Sequence, residues 1–288
     1  MKIAVLILAH KSPEQLAYLI KSLKHNEVNV YLHIDKSAEF SYSSIEAEFV
    51  PILPNYYCSW GAYNVTRATF DLLKRAYKDN NDYYVLISGE DFPAKPINKI
   101  VEFFKKHEGI SYMNIIPLED VKKDPLVDYS TFIKRFSFVH IPMCHNKRIF
   151  SLFKHHCLTN FKKLQKKLTF FRFKTPTDIF VGENWFNLHK HDVEQLLKEF
   201  RKSKWLRFRL SFGLLMEEVL PHTLLKRNLD SNKWVNDSLR FTIWKPNTGS
   251  PEILKSDNIS QALESNDLFA RKFEDLSVLK ELFNKIKE

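Results

Sequence analysis

Glycine is scarce in this chain, with six residues in 288. So few exclude a glycine-rich repeat architecture, and no internal repeat is found. Cysteine is as sparse. Cys58, Cys144 and Cys157 are odd in number and widely spaced, so they form neither a disulfide framework nor a Cys-x-x-Cys metal site, which argues for a reducing compartment. Long hydrophobic runs are missing as well. The N-terminal apolar run, Ile3 to Ala9, has only seven residues and is followed at once by His10, Lys11 and Pro13. It superficially resembles an export signal but reads better as a buried first strand, and no run is long enough to span a bilayer. The expected location is the cytoplasm, peripheral on the inner face of the cell membrane at most. Also absent is any Asp-x-Asp triplet, the usual bidentate anchor for Mg²⁺ or Mn²⁺ on a diphosphate.

Positive charge is not lacking. Lys and Arg number 44 against 34 Asp and Glu, a formal net charge of +10. That balance favours anionic partners, whether nucleic acid, an anionic membrane surface or phosphorylated ligands, without choosing among them. With 14% aromatic residues the composition is that of a globular protein rather than a disordered one.

The first 110 residues or so read as β-α-β-β-α-β-α. Ile3–Ala9 is a continuous apolar strand, and Ser12-Pro13-Glu14-Gln15 supplies an N-cap, a Pro at the first helical position and a capping-box Gln. A helix with Leu16, Leu19, Ile20 and Leu23 on one face follows. Val28–Ile34 alternates as a second strand, 48–52 is a short third, a helix covers about 63–77, Tyr83–Ser88 is a fourth strand, and 97–107 is helical again. This order predicts an open, mostly parallel α/β sheet with helices on both faces, and in such sheets ligands bind beyond the strand C-termini. His10, Asp35 and Glu90-Asp91 fall at that edge. Further on, 182–188 and 236–244 read as strands. A helix is expected over Met216–Arg227, kinked or interrupted at Pro221.

Two stretches have a chemistry of their own. Between Lys147 and Lys174, nine Lys and Arg residues occur without one acid, interleaved with Phe and Leu. The pattern suits the face of an anionic membrane, and equally a core helix with a solvated basic side. No helix-turn-helix, RNP or zinc-finger pattern accompanies it, which argues against nucleic acid. The second stretch is 212–225, where Glu217 and Glu218 sit among apolar residues. Leu215, Val219, His222 and Leu225 share roughly one stripe. A Glu held against apolar surface has its charged form disfavoured and becomes a useful proton acceptor, although a pair of glutamates is also what a solvated helix edge looks like.

Taken in order, short motifs along the whole chain resemble the Core-2/I-branching β-1,6-N-acetylglucosaminyltransferase family, which includes peptide-O-xylosyltransferases, and look like a bacterial member. The motifs are Leu8-Ala9-His10-Lys11, His33-Ile34-Asp35-Lys36-Ser37, Ser59-Trp60-Gly61, Ser88-Gly89-Glu90-Asp91-Phe92-Pro93, Gly182 to Leu188, Glu217-Glu218 ahead of Thr223, Leu239-Arg240-Phe241 with Trp244, and Leu268-Phe269-Ala270-Arg271-Lys272-Phe273-Glu274. The region from about 120 to 177 matches nothing in the family.

The resemblance implies one GT-A-like (Rossmann-like) domain over 1–288, with a nucleotide-binding half (1–116), a basic insertion (117–178) and an acceptor and catalytic half with a C-terminal phosphate-binding segment (179–288). It implies inverting, metal-independent transfer from a UDP-sugar donor to a hydroxyl of a glycan or lipid-linked oligosaccharide acceptor in bacterial surface polysaccharide synthesis, with no cofactor. GlcNAc leads as the sugar. Xylose, glucose and galactose stay open, as does a non-catalytic module that binds a membrane or an anion.

Glu218 matches the family's base. Lys272 matches its phosphate-binding lysine, with Arg271 beside it. The family's second basic residue would fall near Gly249, which leaves Arg271, Lys255 or Lys245 as substitutes. His10 and Asp35 match positions lining the uridine pocket. Asp91, Trp185, Glu217 and Trp244 are the expected acceptor-side residues, although Asp91 also suits a turn cap and each Trp suits the core.

Overall fold

The computed structural model describes residues 1–123, 129–137, 139–140, 178–226, 233–245 and 250–287. The chain starts as expected. β1 (Ile3–Ala9) leads into α1 (Pro13–Ser22), β2 (Val28–Ile34), β3 (Val50–Pro51), α2 (Tyr63–Lys78), β4 (Tyr83–Ser88), β5 (Asp91–Pro93) and α3 (Ile97–Lys106). Then come β6 (Ser111–Met113), β7 (Ile116–Pro117), α4 (Tyr129–Ser137), β8 (Phe180–Val181) and β9 (Phe186–His189). α5 (Lys190–Lys202), α6 (Lys204–Leu210) and α7 (Leu220–Lys226) precede β10 (Trp234–Val235) and β11 (Arg240–Phe241). α8 (Ser256–Glu264), β12 (Phe269–Arg271) and α9 (Leu276–Lys285) complete the order.

The main sheet runs β3-β2-β1-β4-β9-β6-β10. β9 is antiparallel to both of its neighbours and the other pairs are parallel, so the sheet is mostly parallel, as expected for a GT-A-like, Rossmann-like α/β fold. Alternation along the strands sorts the core onto two faces. Ile3, Val5, Ile7, Val85 and Ile87 pack with Leu16 and Leu19 of α1, Phe104 of α3 and Leu279 and Leu282 of α9. Ala4, Leu6, Tyr84 and Leu86 pack on the other face with Phe70 and Leu73 of α2, Leu196 of α5 and Leu224 of α7. β1 and β4 are buried on both faces, which is why they read as unbroken apolar runs rather than as alternating ones.

A three-stranded sheet, β11-β12-β5, joins the C-terminal segment to the turn after β4. Asp91, Phe92 and Pro93 pair with Arg271, Ala270 and Phe269. Arg240, fully buried, ties the two sheets together. It donates to the Leu86 carbonyl (3.0 Å), the Ser238 carbonyl (2.9 Å) and Asn187 Oδ1 (3.2 Å).

Four sequence expectations need correction. Ser12 occupies the N-cap position before Pro13 as expected, but its φ of 55° puts it in the left-handed region and its side chain makes no capping bond. Gln15 is buried and donates instead to the carbonyls of Gly89 and Phe273, each at 3.0 Å. Of 182–188 only residues 186–188 are strand, the start of β9. The Gly182 N–H bonds to the Glu218 carbonyl (3.1 Å), not to a sheet neighbour, and a Cβ at Gly182 would lie 1.8 Å from the Asn114 carbonyl oxygen. Only Arg240–Phe241 of 236–244 is strand. Upstream of it, Asn236 Oδ1 accepts from the distant Ile115 N–H (2.7 Å), and Asp237 Oδ1 accepts from the Leu239 N–H (2.7 Å), a local bond that competes with a ladder. Lastly, the helix expected over Met216–Arg227 is a 3₁₀ turn at Met216–Glu218 followed by α7, with Pro221 in the first turn of α7, where its missing N–H costs nothing. The basic stretch at 147–174, Cys144 and Cys157 lie outside the described residues. Among the described residues no helix is long and apolar enough to cross a membrane.

Candidate active site

The parallel register brings three strand ends together. Ala9 lies opposite Ile34, and Leu8 opposite both His33 and Ser88. His10, Asp35 and Gly89-Glu90-Asp91 therefore leave the sheet side by side, with the Asp35 N–H bonded to the Ala9 carbonyl (2.8 Å) and the Gly89 N–H to the Leu8 carbonyl (2.9 Å). His10 is exposed. Asp35 is buried: Oδ1 accepts from the Ser37 N–H and hydroxyl (2.6 Å each), and Oδ2 from the Cys58 N–H (2.8 Å). Beyond the end of β2 a crevice of about 540 Å³ is lined by Asp35, Lys36, Phe40, Tyr42, Leu53 and Asn55. Its apolar walls with one acid at the strand end are the features of a small-molecule subsite. His33 is a core residue, its Nε2 accepting from the Tyr56 N–H (3.2 Å), whereas Trp60 is 74% exposed.

The glutamate pair occupies a turn set up by backbone strain. Leu215 has φ 59° and ψ 45°, the left-handed region that costs a branched residue roughly 1–2 kcal/mol. It is fixed there by its N–H bond to the Gly61 carbonyl (2.9 Å) and by the Glu218 N–H bond to its own carbonyl (3.1 Å). Gly61 has φ 70°, and a Cβ there would meet Leu214 Cδ1 at 2.6 Å. The two glutamates then face different surroundings. Glu217 is 6% exposed and its Oε2 has no hydrogen-bond partner. Burial pushes its carboxyl up to about 8, and the charge of Glu218 adds to the push. The Glu218 side chain, with protein on most sides, is still 33% exposed, and its Oε2 accepts from Arg135 Nη1 of α4 at 2.9 Å. Burial raises its carboxyl too, while Arg135 pulls it back. The turn therefore holds one enclosed acid, which keeps its proton near neutral pH, beside one partly exposed carboxyl whose charged form is opposed by burial and favoured by Arg135.

Below the turn, His222 is fully buried and its Nε2–H donates to the Glu183 carbonyl (2.9 Å). Burial lowers it to about 3, so it stays neutral.

The C-terminal strand places its two cations differently. The Arg271 guanidinium lies 4.2 Å from the centre of the half-buried Trp185 ring and 3.8 Å from Asp91 Oδ2. Its side chain is 11% exposed, and Nε and Nη1 have no hydrogen-bond partner. Asp91, with no exposed surface, accepts from Ser88 N–H (2.7 Å) and from the Ser88 hydroxyl, so it caps its own turn. Lys272 Nζ is 3.0 Å from Glu274 Oε1 and 3.6 Å from Glu90 Oε1. Trp244 is 52% exposed. Of the residues considered as a second phosphate-binding cation, Lys245 pairs with Glu252 and Lys255 is exposed at the start of α8.

The structure thus gathers Asp91, Trp185 and Arg271 into one contact set, with Lys272 next in the chain, and Glu218 with Glu217 into another. Glu183 links the two, because its charge acts on both Glu218 and the buried Arg240, which in turn feels Asp91 and Arg271.

Sequence reading assigned no role to two residues here. Arg135 lies in the part of the chain that matched no motif and left no signal. Lys11 stood in a quoted motif, but its partners, Glu90 and Glu274, are far from it in sequence. Among the described residues no group of three or more His, Cys, Asp or Glu side chains is arranged to hold a metal ion.

The family model for the Core-2/I-Branching enzyme matches residues 3–264. Xylosyltransferase 2 of Rattus norvegicus is 24% identical over 302 residues, covering 95% of this chain and 32% of the relative. The human xylosyltransferase 2 is 23% identical over 306 residues with the same coverage. A xylosyltransferase of Ciona intestinalis is 24% identical over 318 residues, covering 98% of this chain and 33% of the relative. The chain spans about a third of the length of these curated relatives.

Proposed function

The chain belongs to the Core-2/I-branching enzyme family of glycosyltransferases, and from that premise we propose that it transfers a sugar from a UDP-sugar to a glycan hydroxyl, with inversion and without a metal, in the building of a cell-surface polysaccharide. The observation that carries this reading is the contrast within the Met216–Glu218 turn, where one of two adjacent glutamates is buried and the other is open and paired to a cation. A single ionised carboxylate at an opening is what inverting transfer requires. It takes the acceptor hydroxyl's proton as that oxygen attacks the anomeric carbon from the face opposite UDP. The bond from that carbon to the diphosphate breaks, and UDP leaves without needing a proton, so no second acid is called for. Glu218 takes this role.

The leaving diphosphate needs positive charge at its departure point. Lys272 supplies it, with Arg271 behind it. The crevice beside Asp35 accepts the uracil, and Trp185 and Trp244 serve the acceptor side, whereas Asp91 and Glu217, expected there from the sequence, are enclosed and support the backbone turns instead. UDP-GlcNAc leads as donor. UDP-xylose is the second reading, favoured by the names of the relatives above.

Calorimetric titration of a panel of nucleotide sugars in EDTA, with Glu218→Gln alongside, tests the proposal. One UDP-sugar should bind without added metal, and Glu218→Gln should keep that affinity while turnover is lost. Binding that returns only with Mn²⁺ sinks the metal-free mechanism. No nucleotide binding under either condition sinks the transferase reading.

A further inference from the structure

One charged corner of the molecule is more constructed than a surface ion-pair cluster needs to be. Three segments meet there: His10-Lys11 after β1, Gly89-Glu90 after β4, and Lys272 to Glu274 after β12. The buried Gln15 fastens two of them, donating to the Gly89 and Phe273 carbonyls, and the Phe273 N–H adds a bond to the Glu90 carbonyl at 2.9 Å. On this fixed backbone two ammonium groups converge on one oxygen. Lys11 Nζ is 3.1 Å and Lys272 Nζ 3.0 Å from Glu274 Oε1. Both also reach Glu90 Oε1, at 2.5 Å and 3.6 Å. Partial burial works to lower the Lys11 ammonium, yet Glu90 and Glu274 hold it above its usual range, and Lys272 and Lys11 hold the Glu274 carboxyl below its own.

We infer that Lys11 and Lys272 together form the diphosphate-binding pair, and that Glu274 is an internal carboxylate that occupies the anion position until the diphosphate displaces it. This rests on the assignment of Lys272 to the diphosphate made above and extends it.

Two ammonium groups touching one carboxylate oxygen are spaced to share one phosphate oxygen or to hold adjacent ones, and Lys11 fills the role for which sequence offered only Arg271, Lys255 and Lys245. Exposure decides which acid gives way. The Glu274 side chain is 35% exposed and the Glu90 side chain 10%. Glu274 can turn into water at little cost, while Glu90 stays beneath the lysines and keeps them aimed. With Glu274 withdrawn, two cations face one carboxylate, and the corner changes from neutral to positive as the anion enters.

The test is calorimetry with UDP and with uridine as probes, in EDTA, on the intact chain and on Lys11→Ala, Lys11→Arg, Lys272→Ala and Glu274→Gln. A hydrogen bond from a charged group implies a loss of about tenfold or more in UDP affinity for each alanine variant, with Lys11→Arg close to the intact chain and uridine unaffected throughout. Glu274→Gln should bind UDP about two- to fivefold more tightly, because it removes a competing anion whose pairing is partly solvent-exposed. If Lys11→Ala matches the intact chain while Lys272→Ala is weakened, Lys11 is not part of the pair. Weaker UDP binding by Glu274→Gln overturns displacement and makes Glu274 a positioning residue. An unchanged Lys272→Ala overturns the underlying phosphate assignment, a result distinct from either.

Discussion

Two acidic pairs lie within this fold, and they are opposites. In the Met216–Glu218 turn, desolvation dominates. Glu217 has almost no exposed surface and Glu218 only a third of its side chain, and both carboxyls are pushed up. At the Glu90–Glu274 corner, cations dominate. Lys11 and Lys272 sit within 3.1 Å of Glu274, which is held down instead. The residue type is the same at both places, and the surroundings decide whether it receives a proton or marks a place for phosphate. Substitutions that exchange or erase the surroundings are the way to test that difference.

The largest effect is expected at Glu218. Loss of a general base costs about 10²- to 10⁴-fold in turnover, so steady-state rates for Glu218→Gln should fall in that range, with UDP affinity unchanged. Glu217→Gln is the control that breaks or keeps the distinction between the two glutamates. If it loses as much turnover as Glu218→Gln, the buried residue is the base and the contrast within the turn has been read backwards.

Next comes Arg135. It opposes the upward push of burial on Glu218, so Arg135→Ala should leave that carboxyl protonated to higher pH. A base is active only when deprotonated, so the acidic limb of the rate profile should move to higher pH by about one unit, with activity recovering on the alkaline side. A profile lowered equally at every pH would mean that Arg135 holds the acceptor or the turn rather than the proton affinity of Glu218.

How far the sequence led differs in the same way between regions. Where side chains and backbone obey one local rule, it was readable. The bounds of β1, β2 and β4 are where the sequence puts them, although β2 is buried on both faces from Val30 on rather than alternating, and register then carries His10, Asp35 and Glu90-Asp91 to one edge. It failed where a long-range bond outranks the local rule. Gln15 has the spacing of a capping box, but Gly89 and Phe273 claim its amide. Gly182 reads as part of a strand, but Glu218 takes its N–H. Lys11 and Arg135 were without a role for the same reason: their partners lie 263 and 83 residues away, a separation no periodicity encodes.

Stability separates the pairs at smaller amplitude. The Glu217 carboxyl titrates near 8 in the folded chain, against the ordinary value of 4.5. Between those two values the folded state holds a proton that the unfolded state has released, so stability contributed at this site falls as pH rises through that window. Glu217→Gln removes the dependence. Urea melts should show the variant gaining on the intact chain from pH 5 to pH 8, by on the order of a few kcal/mol, and equal slopes across that range would show that water reaches Glu217.

The corner carries the smallest effect, of opposite sign and different origin. The Glu274 carboxyl is held below its ordinary value by Lys272 and Lys11, so its contribution is present above the unfolded value and is lost as pH falls through the folded one. Its side chain is 35% exposed, and water and salt screen such pairs to about 0–1 kcal/mol. Glu274→Gln should therefore lower the urea midpoint slightly at pH 7 in dilute buffer and hardly at all in 1 M salt, whereas the Glu217→Gln gain at pH 8 should survive salt, because it comes from burial and not from a solvated pair. Melts at two salt concentrations distinguish the two origins. A Glu274→Gln loss that persists in 1 M salt would mean that the corner is a packed structural joint, with its carboxylate fixed in place rather than free to yield to a diphosphate.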